Sequence, residues 1–168
     1  MPVLELLQYP DPRLKKVSTP VQDFTLELSN FIQDLETTMH AGPGGVGIAA
    51  PQVGRFERIA LVDVSSKTGI PHHGRLVLIN PEILTWEGMV KGREGCMSVP
   101  DFTGNVVRAE QIQLRACNEH GQVQEYAMQG YEARAVQHEV DHLDGLLFLD
   151  RLVSRHHDLF RRKQYQSK

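Results

Sequence analysis

The stretch AEQIQLRACNEHGQVQEYAMQGYEARAVQHEVDHLDG, residues 109–145, decides the architecture. From Ala109 to Asn118 apolar and polar side chains alternate, the period of a half-buried strand. Glu119-His120-Gly121 reads as a turn, and Gln122 to Met128 alternates again, so the two runs predict an antiparallel hairpin. Past Gly130, Tyr131 to Leu143 holds good helix formers with neither Pro nor Gly, and Gly145 stands just beyond, so this segment predicts a helix. A hairpin that runs straight into a long helix belongs to an α+β arrangement rather than to a βαβ repeat.

The flanking chain agrees. From Phe24 to His40, Phe24, Leu28, Phe31, Ile32, Leu35 and Met39 recur at helical spacing, and the helix is expected to stop at Ala41-Gly42-Pro43-Gly44-Gly45. Arg58 to Val64 and Arg75 to Leu84 are rich in Val, Ile and Leu and predict strands. Tyr9 to Pro20 is proline-rich and charged, and predicts an irregular or briefly helical arm. Beyond Asp150, Leu152, Val153, His156, Leu159 and Phe160 fall roughly on one side of a further helix. The expected fold is α+β, with mostly antiparallel strands around a central helix and a C-terminal helix, in one domain spanning residues 1–168.

Composition narrows the function. The net charge of −3 from 18 Lys plus Arg against 21 Asp plus Glu offers no general basic surface, which argues against a DNA-binding domain. No apolar run is long enough to cross a bilayer, so no membrane role is expected. Cys96 and Cys117 are too few for a disulfide framework, and the first residues lack the features of a signal or transit peptide, so the expectation is a cytoplasmic protein.

His138-Glu139-Val140-Asp141-His142 sets two imidazoles four residues apart, one turn apart on one helix face, where they can bind a single ion. Glu139 between them can reach a water on that ion. A hydrolytic site needs a third protein ligand and one open position. Downstream, Phe148 stands where the extended zinc-protease pattern requires its third His, and Glu139 is the last glutamate, so the ligand is expected upstream. Cys96, in Arg93-Glu94-Gly95-Cys96-Met97-Ser98-Val99-Pro100, is the leading candidate, with an inert buried thiol as the competing reading. Cys117, inside an alternating strand, fits a packing role. Gly45 to Gly54 is rich in small residues that permit close backbone approach, with Gln52 as its one polar side chain. The overlapping match to a dinucleotide fingerprint follows a helix rather than a strand and is rejected. A metallopeptidase and a structural or sensory metal domain remain as alternatives to a metal-dependent amidase.

Three segments together resemble the peptide deformylase family, whose motifs GxGxAAPQ, EGCxS and HExxH occur here in that order. They are Gly45-Val46-Gly47-Ile48-Ala49-Ala50-Pro51-Gln52, Glu94-Gly95-Cys96-Met97-Ser98 and His138-Glu139-Val140-Asp141-His142. The resemblance implies a hydrolase of protein biosynthesis that removes the N-formyl group from the N-terminal formylmethionine of newly made polypeptides, releasing formate. It implies Cys96, His138 and His142 as metal ligands, Glu139 as base and then acid, and the Gln52 side chain and Met97 amide as donors to the oxyanion. It implies one divalent ion, with Fe2+ favoured in the cell and Zn2+, Ni2+ or Co2+ accepted in purified protein. By the same resemblance Val46, Gly47, Tyr131 and Ala135 contribute to a methionine pocket. Arg134, one turn before His138, either enters that pocket or forms a surface salt bridge, and Thr103 stands where many bacterial members have a substrate-contacting Arg. Arg108 is a plausible partner for Glu94, which otherwise lacks one beside the metal loop.

Residues 151–168 carry six Lys or Arg against Asp158 alone, +5, which leaves −8 on residues 1–150. A basic C-terminal helix of this kind could touch ribosomal RNA, with a plain solvated helix face as the competing reading.

Overall fold

The structure, a computed structural model, describes residues 2–162. Its elements in chain order are α1 (Leu26–Ala41), β1 (Gly47–Ala49), β2 (Ile59–Val62), β3 (Leu76–Cys96), β4 (Val99–Cys117), β5 (Val123–Gln129), α2 (Gly130–Leu143), α3 (Arg155–Asp158) and β6 (Leu159–Arg161). Short 3-10 turns lie at Pro12–Lys15, Ala50–Val53 and Phe148–Arg151. The six strands form one antiparallel sheet in the order β1-β2-β3-β4-β5, with β6 also paired to β4. The fold is the expected α+β one, with α2 at its centre.

Helix α1 starts where the Thr25 side chain accepts the Leu28 N–H at 3.2 Å, a cap that satisfies one of the free amides of the first turn. Leu28, Ile32, Leu35 and Met39 then make one buried stripe. Helix α2 ends before Gly145, whose φ of +76° suits glycine and whose missing Cβ lets the Lys15 carbonyl approach.

β1, β2 and the start of β3 are buried between the two long helices. Ala60, Val62, Leu76 and Leu78 pack with Val136, Val140 and Leu143 of α2. The alternate residues Ile59, Leu61, Val77 and Ile79 pack with the α1 stripe. Continuous apolar runs in β2 and the start of β3 are the consequence, because period-2 strands sandwiched by two helices need apolar side chains both ways. A third apolar cluster gathers Cys96, Val99, Val106, Leu147, Phe148 and Leu149.

Two expectations change in extent. The strand expected over Arg75–Leu84 runs to Cys96, and the hairpin strand expected from Ala109 begins at Val99, so the segment read as a loop is the tip of a long β3–β4 hairpin. Glycines and exposed charges between residues 87 and 95 break the local alternation, yet pairing from Ile79↔Cys117 to Cys96↔Val99, with three register shifts, keeps them extended. The C-terminal helix is present as a single turn, Arg155–Asp158, and Leu159 and Phe160, expected on it, lie instead in β6 against Gly104 and Thr103. Backbone pairing to an open stretch of β4 outweighs weak helical patterning there. No helix among the described residues is long and apolar enough to cross a membrane.

Phe148 is 1% exposed and stacks 6.4 Å, centroid to centroid, from His138. Phe148→Ala should lower unfolding free energy by about 3–5 kcal/mol, read from the urea midpoint.

Candidate active site

Two elements bring the ligand candidates together. Helix α2 carries His138 and His142 on successive turns, and Cys96 ends β3. The Cys96 Sγ lies 3.4 Å from His142 Nε2, and one donor atom from each of the three residues falls within 4.8 Å of the others. All three are buried. The Nδ1 of His138 is engaged by Glu94 Oε1 at 2.9 Å, which leaves Nε2 as its free donor.

This arrangement suits a cation. Burial, with His138 close by, holds His142 neutral, well below its ordinary pKa. Burial would also lower the His138 pKa, but hydrogen bonds to Cys96 and Glu94 outweigh it and push it well up, so positive charge is favoured among these groups. A thiolate and two imidazoles form a donor set for a divalent transition metal. Phe148, at the position of the third protease ligand, is apolar and packed against His138, and the third candidate donor beside the two histidines is the upstream sulfur of Cys96.

Around the donors runs a buried ionic network. Arg108 grips Glu94 with two bonds, Nε to Oε2 at 2.8 Å and Nη2 to Oε1 at 2.9 Å. Its Nη1 reaches Asp141 Oδ2 at 2.6 Å, and Arg151 closes on Asp141 at 2.8 and 3.0 Å. The expected Arg108–Glu94 pair is present. Burial alone would raise the Glu94 pKa; the bonds from Arg108 and His138 outweigh it and hold the carboxyl well below the usual range. Asp141 was missed in the sequence. Its position, one turn after His138, placed it on the ligand face, but nothing local indicated an arginine from β4.

Glu139 is 4% exposed, and its Oε1 has no hydrogen-bond partner among the described residues. Burial pushes its pKa up to about 7. Its Oε2 lies 2.5 Å from where a Cβ on Gly47 would stand, so only glycine leaves room for the carboxylate. Gln52 is 1% exposed; its Oε1 accepts the Ala49 N–H at 2.9 Å, and its Nε2 donates to Ser98 Oγ at 3.0 Å and lies 3.5 Å from Cys96 Sγ. Ser98 also donates its amide toward Cys96 Sγ at 3.4 Å.

One cleft of about 510 Å³ opens onto this site. Val46, Gly47, Met97, Tyr131, Arg134 and Ala135 all line it, with Gln52, Cys96, His138 and Glu139 at its floor. Arg134 turns inward and its charge is already paired: Nη1 donates to Glu94 Oε2 and the Val106 carbonyl at 2.7 and 3.0 Å, and Nη2 to the Val90 carbonyl at 2.7 Å. It is therefore not the surface ion pair weighed above. Thr103 does not line the cleft; it pairs with Phe160 of β6, and its Oγ1 accepts from Arg93 at 3.4 Å. Arg93 and Arg162 do line it, and neither was anticipated.

A cysteine and two histidines able to hold a metal, with a buried carboxylate beside them at one cleft, are the site of a hydrolase. Comparison with known proteins narrows the class further. A sequence model described as polypeptide deformylase matches residues 3–158. A peptide deformylase of Alkalilimnicola ehrlichii is 42% identical over 163 residues, covering 97% of this chain and 89% of its own length. The crystal structure of the Thermotoga maritima peptide deformylase superposes with a TM-score of 0.84 at 35% identity, covering 92% of this chain and all of that one. A class I type b peptide deformylase of Acinetobacter baumannii, in a Met-Ala-Ser-bound crystal structure, matches with a TM-score of 0.83 at 37% identity, covering 90% and 99% of the two chains. The chain belongs to the polypeptide deformylase family, enzymes that remove the N-formyl group from newly made polypeptides.

Removing the shared cation of the network should unfold the site before it alters anything else. Arg108→Met is expected to cost about 3–5 kcal/mol, because Glu94 and Asp141 would be left as buried, undercompensated charges. Equilibrium urea unfolding of the variant measures it.

Proposed function

We propose that Cys96, His138 and His142 hold one divalent ion and that Glu139, Gln52 and the Met97 amide carry out deformylation of formylmethionyl peptides. The observation that carries this reading is the cluster of three donors beside a buried Glu139 carboxylate with an oxygen left unpartnered among the described residues. The ion, Fe2+ in the cell and Zn2+, Ni2+ or Co2+ in purified protein, supplies Lewis acidity when bound and makes water a nucleophile near neutral pH. Glu139 Oε1 takes a proton as water adds to the formyl carbon. With a pKa near 7, set by burial, Glu139 can give that proton up again to the departing amine, leaving formate and a free N-terminus.

The charge that gathers on the formyl oxygen needs donors already in place. Gln52 Nε2 has one N–H committed to Ser98; the other faces only the weakly accepting sulfur and is the one to turn to the oxyanion. The Met97 amide, next in the chain to the ligand Cys96, is the second donor. Val46, Gly47, Tyr131 and Ala135 form the wall for the methionine side chain, and Arg134, with both Nη atoms engaged, shapes the entrance rather than offering a free charge. The Met-Ala-Ser complex of the Acinetobacter baumannii relative supports a methionine-first peptide in this cleft.

We take residues 1–168 as one catalytic unit working in the cytoplasm, where newly made polypeptides are its substrate. Ribosome docking through the basic C-terminal segment has narrower support than the sequence suggested. Arg151 is paired with Asp141 and Arg162 lines the cleft, while Lys163 and Lys168 lie outside the described residues. Arg155 and Arg161 remain exposed. If they touch ribosomal RNA, the double change Arg155→Glu and Arg161→Glu should reduce cosedimentation with ribosomes; unaltered cosedimentation removes this part of the reading.

Glu139→Gln should keep the metal, measured by elemental analysis, while formate release falls by about 10²–10⁴-fold. Gln52→Ala should lower kcat by about 10²–10³-fold with smaller change in KM. Cys96→Ser should lower metal content itself. Full turnover by the Glu139 variant would refute its assigned role.

A further inference from the structure

Three arginines reach the cleft, and they differ in what they already hold. Arg134 is already paired with the Glu94 carboxylate and bonded to two carbonyls. Among the described residues Arg93 has only neutral hydrogen-bond partners, Asn105 Oδ1 at 3.1 Å and Thr103 Oγ1 at 3.4 Å, and its guanidinium stacks 3.7 Å over the Phe160 ring. Arg162 follows β6 directly, its amide fixed to the Asp101 carbonyl at 2.8 Å. Its buried Nε has no hydrogen-bond partner among the described residues. Neither Arg93 nor Arg162 lies within 4.0 Å of a carboxylate among the described residues.

Passage into the cleft for Arg162 is built into β3. A Cβ on Gly95 would stand 2.6 Å from Arg162 Nη2, so the guanidinium lies across the bare backbone of the residue that precedes Cys96. Arg93 stacks over Phe160 of β6, two residues before Arg162, so both guanidiniums lie at this end of the cleft. The cleft's own carboxylates do not neutralise this pair: Glu94 is engaged by Arg108, Arg134 and His138, and Glu139 sits under Gly47. Two guanidiniums without a counter-charge, one with a buried unpartnered donor, stand at the rim of a site that binds peptides.

We propose that Arg162, with Arg93 beside it, forms an anion subsite for a carboxylate carried by the formylated peptide. The planar fork of Arg162 can grip such a group with paired N–H bonds. The carboxylate has two possible sources, an Asp or Glu side chain close behind the formylmethionine or the free C-terminus of a short peptide. The inference rests on the deformylase reading of the cleft and goes on to state which substrates it favours.

Formate release from the metal-loaded, full-length enzyme tests it with four peptides: formyl-Met-Ala-Ala-amide, its free acid, formyl-Met-Asp-Ala-amide and formyl-Met-Ala-Asp-amide. At least one anionic peptide should exceed the neutral amide in kcat/KM by about tenfold at low ionic strength, equivalent to about 1.4 kcal/mol. Which one does so names the source. That ratio should fall with added salt, collapse towards unity in Arg162→Gln, and be partly restored in Arg162→Lys, which keeps the charge but not the fork. A structural role alone would change all four rates together and leave the ratio intact. Equal rates on all four peptides in the parent enzyme, or a preference that survives Arg162→Gln, overturns the subsite. Failure to turn over the neutral amide would instead count against the deformylase reading.

Discussion

Arg108 clamps two carboxylates that come from different elements, Glu94 from the strand that carries Cys96 and Asp141 from the helix that carries both histidines. The sulfur and the imidazoles stand more than forty residues apart in the chain and must meet within a few ångströms. A single guanidinium with ideal bidentate geometry on one side and a third bond on the other sets the spacing of strand and helix. Glu94 then passes the constraint on to His138 by taking its Nδ1, which fixes which ring nitrogen faces the sulfur.

Burying so many charges is costly, and the network meets that cost by leaving almost none of them unanswered. Glu94 has three partners and Asp141 has two arginines. Glu139 is the exception. It is buried among them without a cationic partner in contact, and the same desolvation that destabilises its charged form brings its proton affinity to the range where it can both accept and donate. The ordering of its neighbours therefore underlies the tuning of the one group left open.

The long hairpin of β3 and β4 is the frame on which this is mounted. Its base packs between two helices, while its tip carries Cys96 and leaves an edge of β4 that β6 covers. Covering that edge satisfies its backbone groups and, in the same stroke, delivers the end of β6 to the cleft. Sheet closure and the charge of the cleft rim thus share one cause.

Much of this was legible without coordinates. Hydrophobic periodicity marked α1 and the β4–β5 hairpin, and an unbroken run of helix formers ahead of Gly145 marked α2, because periods, propensities and stop signals are local properties. The candidate metal donors were legible as a set too, because a helix fixes the spacing of His138 and His142 wherever it is placed, and the lack of a downstream His or Glu in the third-ligand position pointed upstream to Cys96. Residues 87–95 and 159–161 were not legible: their extended form is imposed by partners in β4, and local propensity there is weak or misleading. Nor could spacing reveal that Asp141 answers to Arg108 and Arg151, that Arg134 turns inward to Glu94, or that Arg162 crosses Gly95. Those contacts join residues separated by 10 to 67 positions through packing alone, and tertiary structure decided them because charge pairing in a buried site depends on distance in space, which chain order does not encode.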